Sequence, residues 1–481
     1  MIQFDFYTLA SVSSIMEQEE NCGRLKDESY SQETKKISAE MKEKRIALRC
    51  ASKSDKKKLY EELSNLIQHF NEQKEKEQRF LTEQIAKGKY HVIVESKVFN
   101  GKRVYSTADN ESMVISKIIS KEIAHYYRVK PADRNTIIEQ LIAILDNSMP
   151  KIVIRADVKQ FYESIPIDPL IDKLANDGYL AKRTMKYLRS FLFACGITNN
   201  NEIGIPRGLS FSAYLAEIYM ATIDKRIRQI PGIYFYKRYV DDIIIVANSQ
   251  MMDVSEYWLE LNKCFEGQSL ELHNESEKKF ISLFNEDSYN KQFEYLGYKF
   301  VYNNGALKVL LSDHRYSKYL ITLNALFKIY SQCASYRRGK MTQKESDKRQ
   351  DALQQLIKRI RVLTGNGLLS GRKNYVATGV YYTNKYITDT SQFEQLDNYL
   401  FQLIENKHTF CPPKALFNYS CNNGYELNFK LIKEKLHEYS FVDSFKNPRI
   451  NKSREFSLIL NALNRIYRKN EQVCSNIQIE I

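Results

Sequence analysis

The chain has 481 residues, a formal net charge of +14 and 8 scattered cysteines with no CxxC pair. The cysteine pattern speaks against a zinc site and suits a reducing cytoplasm. No run approaches the ~18 apolar residues of a spanning helix, and the opening MIQFDFYTLASVSS lacks the basic and apolar regions of a signal peptide, so a cytoplasmic protein without a membrane partner is expected. The Lys and Arg surplus suits a polyanion, although charge alone selects no partner.

Residues 17–85 are dense in Lys and Glu, with Leu59, Leu63 and Ile67 four apart. This predicts solvated, partly amphipathic helix, a charged N-terminal arm. Residues 86–150 begin with a strand-like run, Tyr90-His91-Val92-Ile93-Val94, include Lys102-Arg103-Val104-Tyr105, and then turn helical. Lys151-Ile152-Val153-Ile154-Arg155-Ala156-Asp157 reads as a buried strand closed by an acid. A strand-terminal Asp also serves as a helix cap, so Asp157 alone decides nothing.

Gly204-Ile205-Pro206-Arg207-Gly208-Leu209-Ser210-Phe211-Ser212 is a loop punctuated by Gly and Pro. Ser212 caps or enters the helix that follows, and a Gly-containing loop lets backbone approach a bound partner closely. Next, Tyr239-Val240-Asp241-Asp242 separates Ile233-Tyr234-Phe235-Tyr236 from Ile243-Ile244-Ile245-Val246-Ala247. Two adjacent acids between strands belong at a hairpin tip, where their hard oxygens can hold Mg²⁺. Transfer of a nucleotidyl group through two divalent ions ~4 Å apart needs carboxylates from separate strands. Asp157, Asp241 and Asp242 supply them.

Beyond residue 312 the pattern is helical, with stripes at Tyr319, Leu320, Leu323, Phe327 and Tyr330 and at Leu353, Leu356, Ile357 and Ile360. Tyrosines recur there, among them Tyr375, Tyr381, Tyr382, Tyr386, Tyr399, Tyr419 and Tyr425, together with basic clusters such as Arg337-Arg338 and Arg372-Lys373. Core packing explains most of the tyrosines, and base stacking could use a few. The histidines fall singly; His273 is the one near the acids, and a packed or surface role is the ordinary expectation for it.

Taken together these segments resemble the palm of a reverse transcriptase. DVKQFYESI resembles motif A, GIPRGLSFSAYLAEIYM motif B and RYVDDIIIVAN motif C. Leu270-Glu271-Leu272-His273-Asn274 with Lys278 is similar to motif D, and Phe293-Glu294-Tyr295-Leu296-Gly297-Tyr298 to motif E. The resemblance implies an α+β right-hand polymerase: a charged N-terminal extension (1–85), fingers (86–150), palm (151–305) and a long α-helical thumb-like C-terminal domain (306–481). It implies Asp157, Asp241 and Asp242 as catalytic metal ligands for two Mg²⁺ ions, with Mn²⁺ as a substitute, and Lys278 as a catalytic group that protonates the pyrophosphate or steadies it electrostatically. Tyr162 takes the place of a steric gate against ribose, and Glu163 beside it leaves the sugar preference open. Arg103, Arg207, Gly208 and Ser212 would meet the incoming nucleotide, and Tyr295, Leu296 and Gly297 would form the primer grip.

Motif B departs from the common pattern: Arg207-Gly208 and Ser212-Ala213 stand where Gln-Gly and Ser-Pro are usual. Such variation, with the long helical tail, resembles the abortive-infection and unknown-group reverse transcriptases of bacterial phage defence. The reading is a polymerase building DNA from dNTPs on RNA or DNA, as a homo-oligomer or with a companion defence protein. Some defence relatives imply untemplated synthesis primed by a tyrosine hydroxyl, here an unidentified one. A retron-like or group II intron-like RNA-templated enzyme is the alternative, and a nucleic-acid-binding scaffold without catalysis is a third.

Overall fold

The computed structural model describes residues 5–474 apart from 22–24, 26–29, 51–52, 100, 198–203, 276–277, 286, 335–342, 370–375, 407, 411–421 and 454. The chain divides into two compact units: Met1–Asp133 with Lys151–Ser282, and Arg134–Pro150 with Leu283–Ile481. No described helix is long and apolar enough to cross a membrane.

The first unit opens with helices Leu9–Asn21, Gln32–Cys50 and Lys53–Ala86. Their sparse apolar residues suffice for a small seam: Leu63 is buried with Ile37 and Met41, and Leu66, Ile67 and Phe70 pack against them. An antiparallel hairpin follows, β1 (Val94–Phe99) and β2 (Lys102–Thr107). Its first strand starts later than the run from Tyr90 predicts, because the Ile93 amide is spent on the Ser112 hydroxyl (2.8 Å).

The centre of the unit is a sheet of β3 (Lys151–Asp157), β4 (Ile233–Tyr239), β5 (Asp242–Asn248) and β6 (Phe280–Phe284), in the order β4-β5-β3-β6. The two inner strands read as near-continuous apolar runs because both of their faces are covered. Side chains alternate across a strand. Ile152, Ile154 and Ala156 of β3 and Ile243, Ile245 and Ala247 of β5 therefore enter one core with the helices Asn110–Tyr127, Ile167–Asp177, Lys182–Ala194 and Ser212–Arg228. Arg155, Asp157 and Asp242 lie on the other face by the same alternation.

The loop before Ser212–Arg228 is clasped from two sides. The Ile205 amide donates to the Tyr162 carbonyl (2.8 Å), and the Tyr105 amide of β2 donates to the Arg207 carbonyl (2.7 Å). Gly204 sits so close that an added Cβ would lie 2.2 Å from the Tyr162 carbonyl oxygen. Gly208 has φ +104°, and its Cβ would lie 2.4 Å from the Tyr105 carbonyl oxygen.

In the second unit β7 (Lys291–Tyr295), β8 (Tyr298–Asn303) and β9 (Ala306–Leu311) form an antiparallel meander. A boundary at 305, as drawn from sequence, would cut the β8–β9 hairpin, where Asn303 pairs with Ala306. The helix Arg134–Leu145, grouped by sequence with the preceding segment, belongs to this unit as well. Its physical ties are the Arg134 bond to the Leu296 carbonyl and the Tyr302 hydroxyl donating to the Asn147 carbonyl (2.7 Å). The rest is mainly helical, as the stripes predict, with Asp313–Ala334, Gln343–Leu363, Ser391–Glu405 and Glu455–Cys474 among its helices. Sequence reading missed one small sheet here. In it β10 (Asn366–Leu369) lies between antiparallel β11 (Val376–Gly379) and parallel β12 (Ile450–Asn451).

Gly208→Ala combines a left-handed backbone with a clash against main chain, so neither side can yield cheaply. It is expected to destabilise the protein by about 1–3 kcal/mol, read as a lower urea midpoint at unchanged slope. A midpoint equal to that of the parent chain would show that the loop is not clasped as described.

Candidate active site

Three short segments build the site. β3 ends at Asp157, β4 and β5 are joined by Val240-Asp241, and the loop Glu271–His273 runs beside the end of β3. Asp157 is directly opposite Asp242 in the β3–β5 ladder, and Tyr239 is opposite Asp242 in β4–β5. Only Asp241 thus occupies the turn, whereas Asp242 is already the first residue of β5. The ladder continues one step further, the Val158 amide donating to the Asp241 carbonyl (3.2 Å). Asp157 caps no helix: Gln160 precedes the short helix Phe161–Ser164.

Val240 has φ +59°, a left-handed conformation that is a true outlier for a β-branched residue. Arg238 holds it. This arginine, 6% exposed, donates to the Val240 carbonyl (2.9 Å) and is gripped by Glu217 (2.8 Å) and Asp224 (2.8 Å) of the helix Ser212–Arg228. Burial works against its charge, but Asp224 and Glu217 outweigh burial and keep it firmly protonated. Tyr236 donates to the same Asp224. Sequence reading did not find this network, because its members are ordinary surface-type residues until strand and helix pack.

The acids crowd one another. Burial pushes the Asp242 carboxyl up to about 6; Arg155 opposes the shift, and Asp241 and Asp157 add to it. Burial likewise raises Asp241, with the Asp157 charge adding and Arg207 and Lys102 opposing. Lys278 lies 3.1 Å from Asp157 Oδ2, and His273 Nε2 is 3.1 Å from Lys278 Nζ and 3.6 Å from that carboxylate oxygen. The His273 amide also donates to the Asp157 carbonyl (2.9 Å). His273 is therefore part of the site and not a bystander.

A ring and an ion pair border the acids. The Arg207 guanidinium lies over the Tyr162 ring (5.0 Å to its centroid) and donates to both Glu163 oxygens (3.2 Å). Burial would raise the Glu163 carboxyl, but its bonds to Arg207 hold it below the usual range. Ser212 is the first residue of its helix; its buried hydroxyl donates to the Pro206 carbonyl and so braces the loop. Of the basic pair on β2, Lys102 bears electrostatically on Asp241 and Glu163. Arg103, singled out from sequence, is exposed and belongs to the opposite set of alternating side chains. In the second unit, Tyr295 is buried, and Leu296 (φ +46°) and Gly297 (φ +77°) form the β7–β8 turn. The Leu296 carbonyl accepts from Arg134 Nε (3.0 Å). Of the tail tyrosines, Tyr375 and Tyr419 lie outside the described residues, as do Arg337, Arg338, Arg372 and Lys373; the Tyr399 hydroxyl donates to Asn324 (2.5 Å).

Asp157, Asp241 and Asp242 do not close into a cage by themselves. Among the described residues no three His, Cys, Asp or Glu side chains converge tightly enough to hold an ion alone, and Arg155 (3.7 Å) draws on Asp242. Mg²⁺ does not demand such a cage, since it keeps waters and takes one or two carboxylates with substrate phosphates. The mutual repulsion of Asp157, Asp241 and Asp242 is what a divalent cation relieves, so the donor set fits one.

Residues 86–300 match the family model described as reverse transcriptase (RNA-dependent DNA polymerase). The chain carries a reverse-transcriptase domain. Solved structures similar to it include apo telomerase from Candida tropicalis, at 10% identity and TM-score 0.34, covering 80% of this chain and 66% of that one. Telomerase from Candida albicans, in complex with a TWJ fragment of telomeric RNA, gives 11% identity, TM-score 0.31, and coverage of 73% and 56%. The chain thus spans little more than half the length of the Candida albicans telomerase chain. No curated protein matches it in sequence.

Two outcomes follow for this domain. Arg238→Ala strands two partly buried carboxylates and frees the strained turn, so it is expected to cost about 3–5 kcal/mol, measured by urea unfolding; a loss under 1 kcal/mol would count against the clamp. Asp242→Asn mimics the protonated form favoured by the folded site. In EDTA its melting temperature should exceed that of the parent chain above pH 6, and the gain should vanish below about pH 4, because a raised carboxyl pKa makes ionisation destabilising in that window. Parallel melting curves across that range would contradict the crowding.

Proposed function

We propose that the chain is a Mg²⁺-dependent nucleotidyltransferase that lengthens DNA from dNTPs, acting on nucleic acid, in the manner of the bacterial phage-defence reverse transcriptases. The observation that carries this reading is the placement of Asp157 directly across the sheet from Asp242, with Asp241 in the adjoining turn. When bound, divalent ions supply the positive charge that acidifies the attacking hydroxyl and steadies the leaving pyrophosphate. In this reading Asp157 and Asp241 hold them, and Asp242 tunes the charge beside them.

The remaining residues orient and select. Lys278, poised at Asp157, balances its charge before ions arrive and is then free to face the pyrophosphate. Tyr162 blocks a ribose 2′-hydroxyl, with Arg207 fixing its ring. Glu163 is spent on Arg207 and so does not serve as an acceptor for that hydroxyl, which supports a preference for deoxynucleotides. Lys102, with Arg103 next to it, faces the triphosphate; Gly208 admits close backbone approach and Ser212 stiffens the loop. The β1–β2 hairpin belongs to the fingers and the β3–β5 sheet to the palm. Tyr295, Leu296 and Gly297 are the primer grip, and the helical region beyond is a thumb with an extension. The Arg207-Gly208 pair and the long helical region support the defence class. Tyrosine priming belongs to the same reading, with no single tyrosine assigned.

Asp157→Ala and Asp241→Ala are each expected to lower dNTP incorporation by roughly a thousandfold or more, the worth of several kcal/mol of charge stabilisation, with thermal unfolding still cooperative. Incorporation at the parent rate by either folded variant would overturn the assignment.

A further inference from the structure

The second unit contains a cavity of about 370 Å³, remote in sequence from the acids, that polymerisation as described does not use. Its floor is apolar, made by Val362, Leu363, Val380, Leu460 and Leu463 with the ring of Tyr319. One wall is the first turns of the helix Asp313–Ala334, which turn Arg315 and Lys318 toward the space. Thr378, Thr383 and Asn464 complete the rim.

The charges of this wall are both positive and hydrogen-bond neutral groups, while one carboxylate, Glu471, bears electrostatically on Lys318. Arg315 donates to the Thr383 carbonyl (3.3 Å) and Asn384 Oδ1 (3.1 Å). Lys318 donates to Asn464 Oδ1 (3.0 Å) and lies over the Tyr467 ring (5.2 Å). Arg134 and Arg315 both lie over the ring of Tyr298, at 5.1 and 5.3 Å. Burial and like charge depress both groups: Arg315 is lowered by burial and by Arg134, and Lys318 by burial and by Arg468 and Arg315. The carboxylate nearest in effect, Glu471, is engaged by the Tyr467 hydroxyl. Half-buried cations held by amide and carbonyl oxygens are costly to keep unless an anion joins them.

We propose that this cavity binds a nucleoside phosphate, its phosphate on Arg315 and Lys318 and its base against the apolar floor. The volume lies in the range of small-ligand pockets, and an apolar floor with a few convergent polar groups is the usual form of one. A guanidinium beside an ammonium suits a phosphate group, which accepts charge-assisted bonds from both. The ligand is either a free mononucleotide or the phosphorylated end of a strand, and the same contacts recognise both.

The test uses the full chain carrying Asp157→Ala and Asp241→Ala, in EDTA, so that metal-held phosphate at the acids does not contribute. Calorimetric titration with dAMP is compared with titration by a 5′-phosphorylated and a 5′-hydroxyl dinucleotide. The expected result is dAMP binding that Lys318→Glu weakens at least tenfold and Lys318→Gln weakens less, both with unchanged melting temperatures. Tighter binding of the 5′-phosphorylated dinucleotide than of dAMP assigns the cavity to a strand end, and equal binding assigns it to a free nucleotide. If dAMP and the phosphorylated dinucleotide fail to bind, if the 5′-hydroxyl dinucleotide binds as well as its phosphorylated form, or if both Lys318 variants bind like the parent, the proposal is wrong. These outcomes do not depend on whether the unsubstituted chain polymerises, which dNTP incorporation reports separately.

Discussion

The register of β3 against β5 is the constraint on which the acid site depends. Ile154 lies opposite Ile245, Ala156 opposite Ile243, and Asp157 opposite Asp242. Because side chains alternate, a slip by one residue would turn Asp157 toward the helical core and bring Ala156 to the chemical face. The apolar set Ile152, Ile154 and Ala156, fully buried in that core, makes such a slip prohibitive. Hydrophobic burial thus sets the position of a charge that itself takes no part in it.

A second layer of order comes from Arg238. It ties the helix that follows the Gly204–Ser212 loop to the turn that carries Asp241. The same loop is tied through Ile205 to Tyr162 and through Arg207 to Tyr105. The ring at Tyr162, the loop and the acid turn are therefore linked by main-chain and buried polar contacts. The charges of Arg207, Asp241, Glu217 and Arg238 accordingly all bear on the Tyr162 hydroxyl, although burial is the larger influence on it.

Much of this was legible in the sequence. Runs as short and β-branched as those flanking Asp157 and Asp241 have few other structures open to them, and glycine marked the loop that must approach main chain. What was not legible depends on pairing at a distance. Arg238 meets Glu217 across 21 residues and Asp224 across 14, and nothing in either local pattern says that they will be buried together. The choice between Lys102 and Arg103 rests on which face of β2 turns inward, and a strand of six residues with exposed side chains at both positions does not declare it. His273 looked like a lone imidazole because nothing in the local pattern says that the Lys278 ammonium will lie 3.1 Å from its ring. The strands β10 and β12 are too short to stand out from the helices around them. The Arg134–Leu145 helix sits with β8 through bonds to carbonyl groups, which leave no trace in composition.

Val240 shows what such an arrangement means for a ligand. Most residues at a strand reversal would sample several backbone states, and a cation arriving there would have to select one of them at an entropic penalty. Here a β-branched residue with few rotamers is pinned in a left-handed state by a buried guanidinium. The ordering of the turn is completed when the chain folds, so a cation held there, as proposed above, would meet a backbone already shaped.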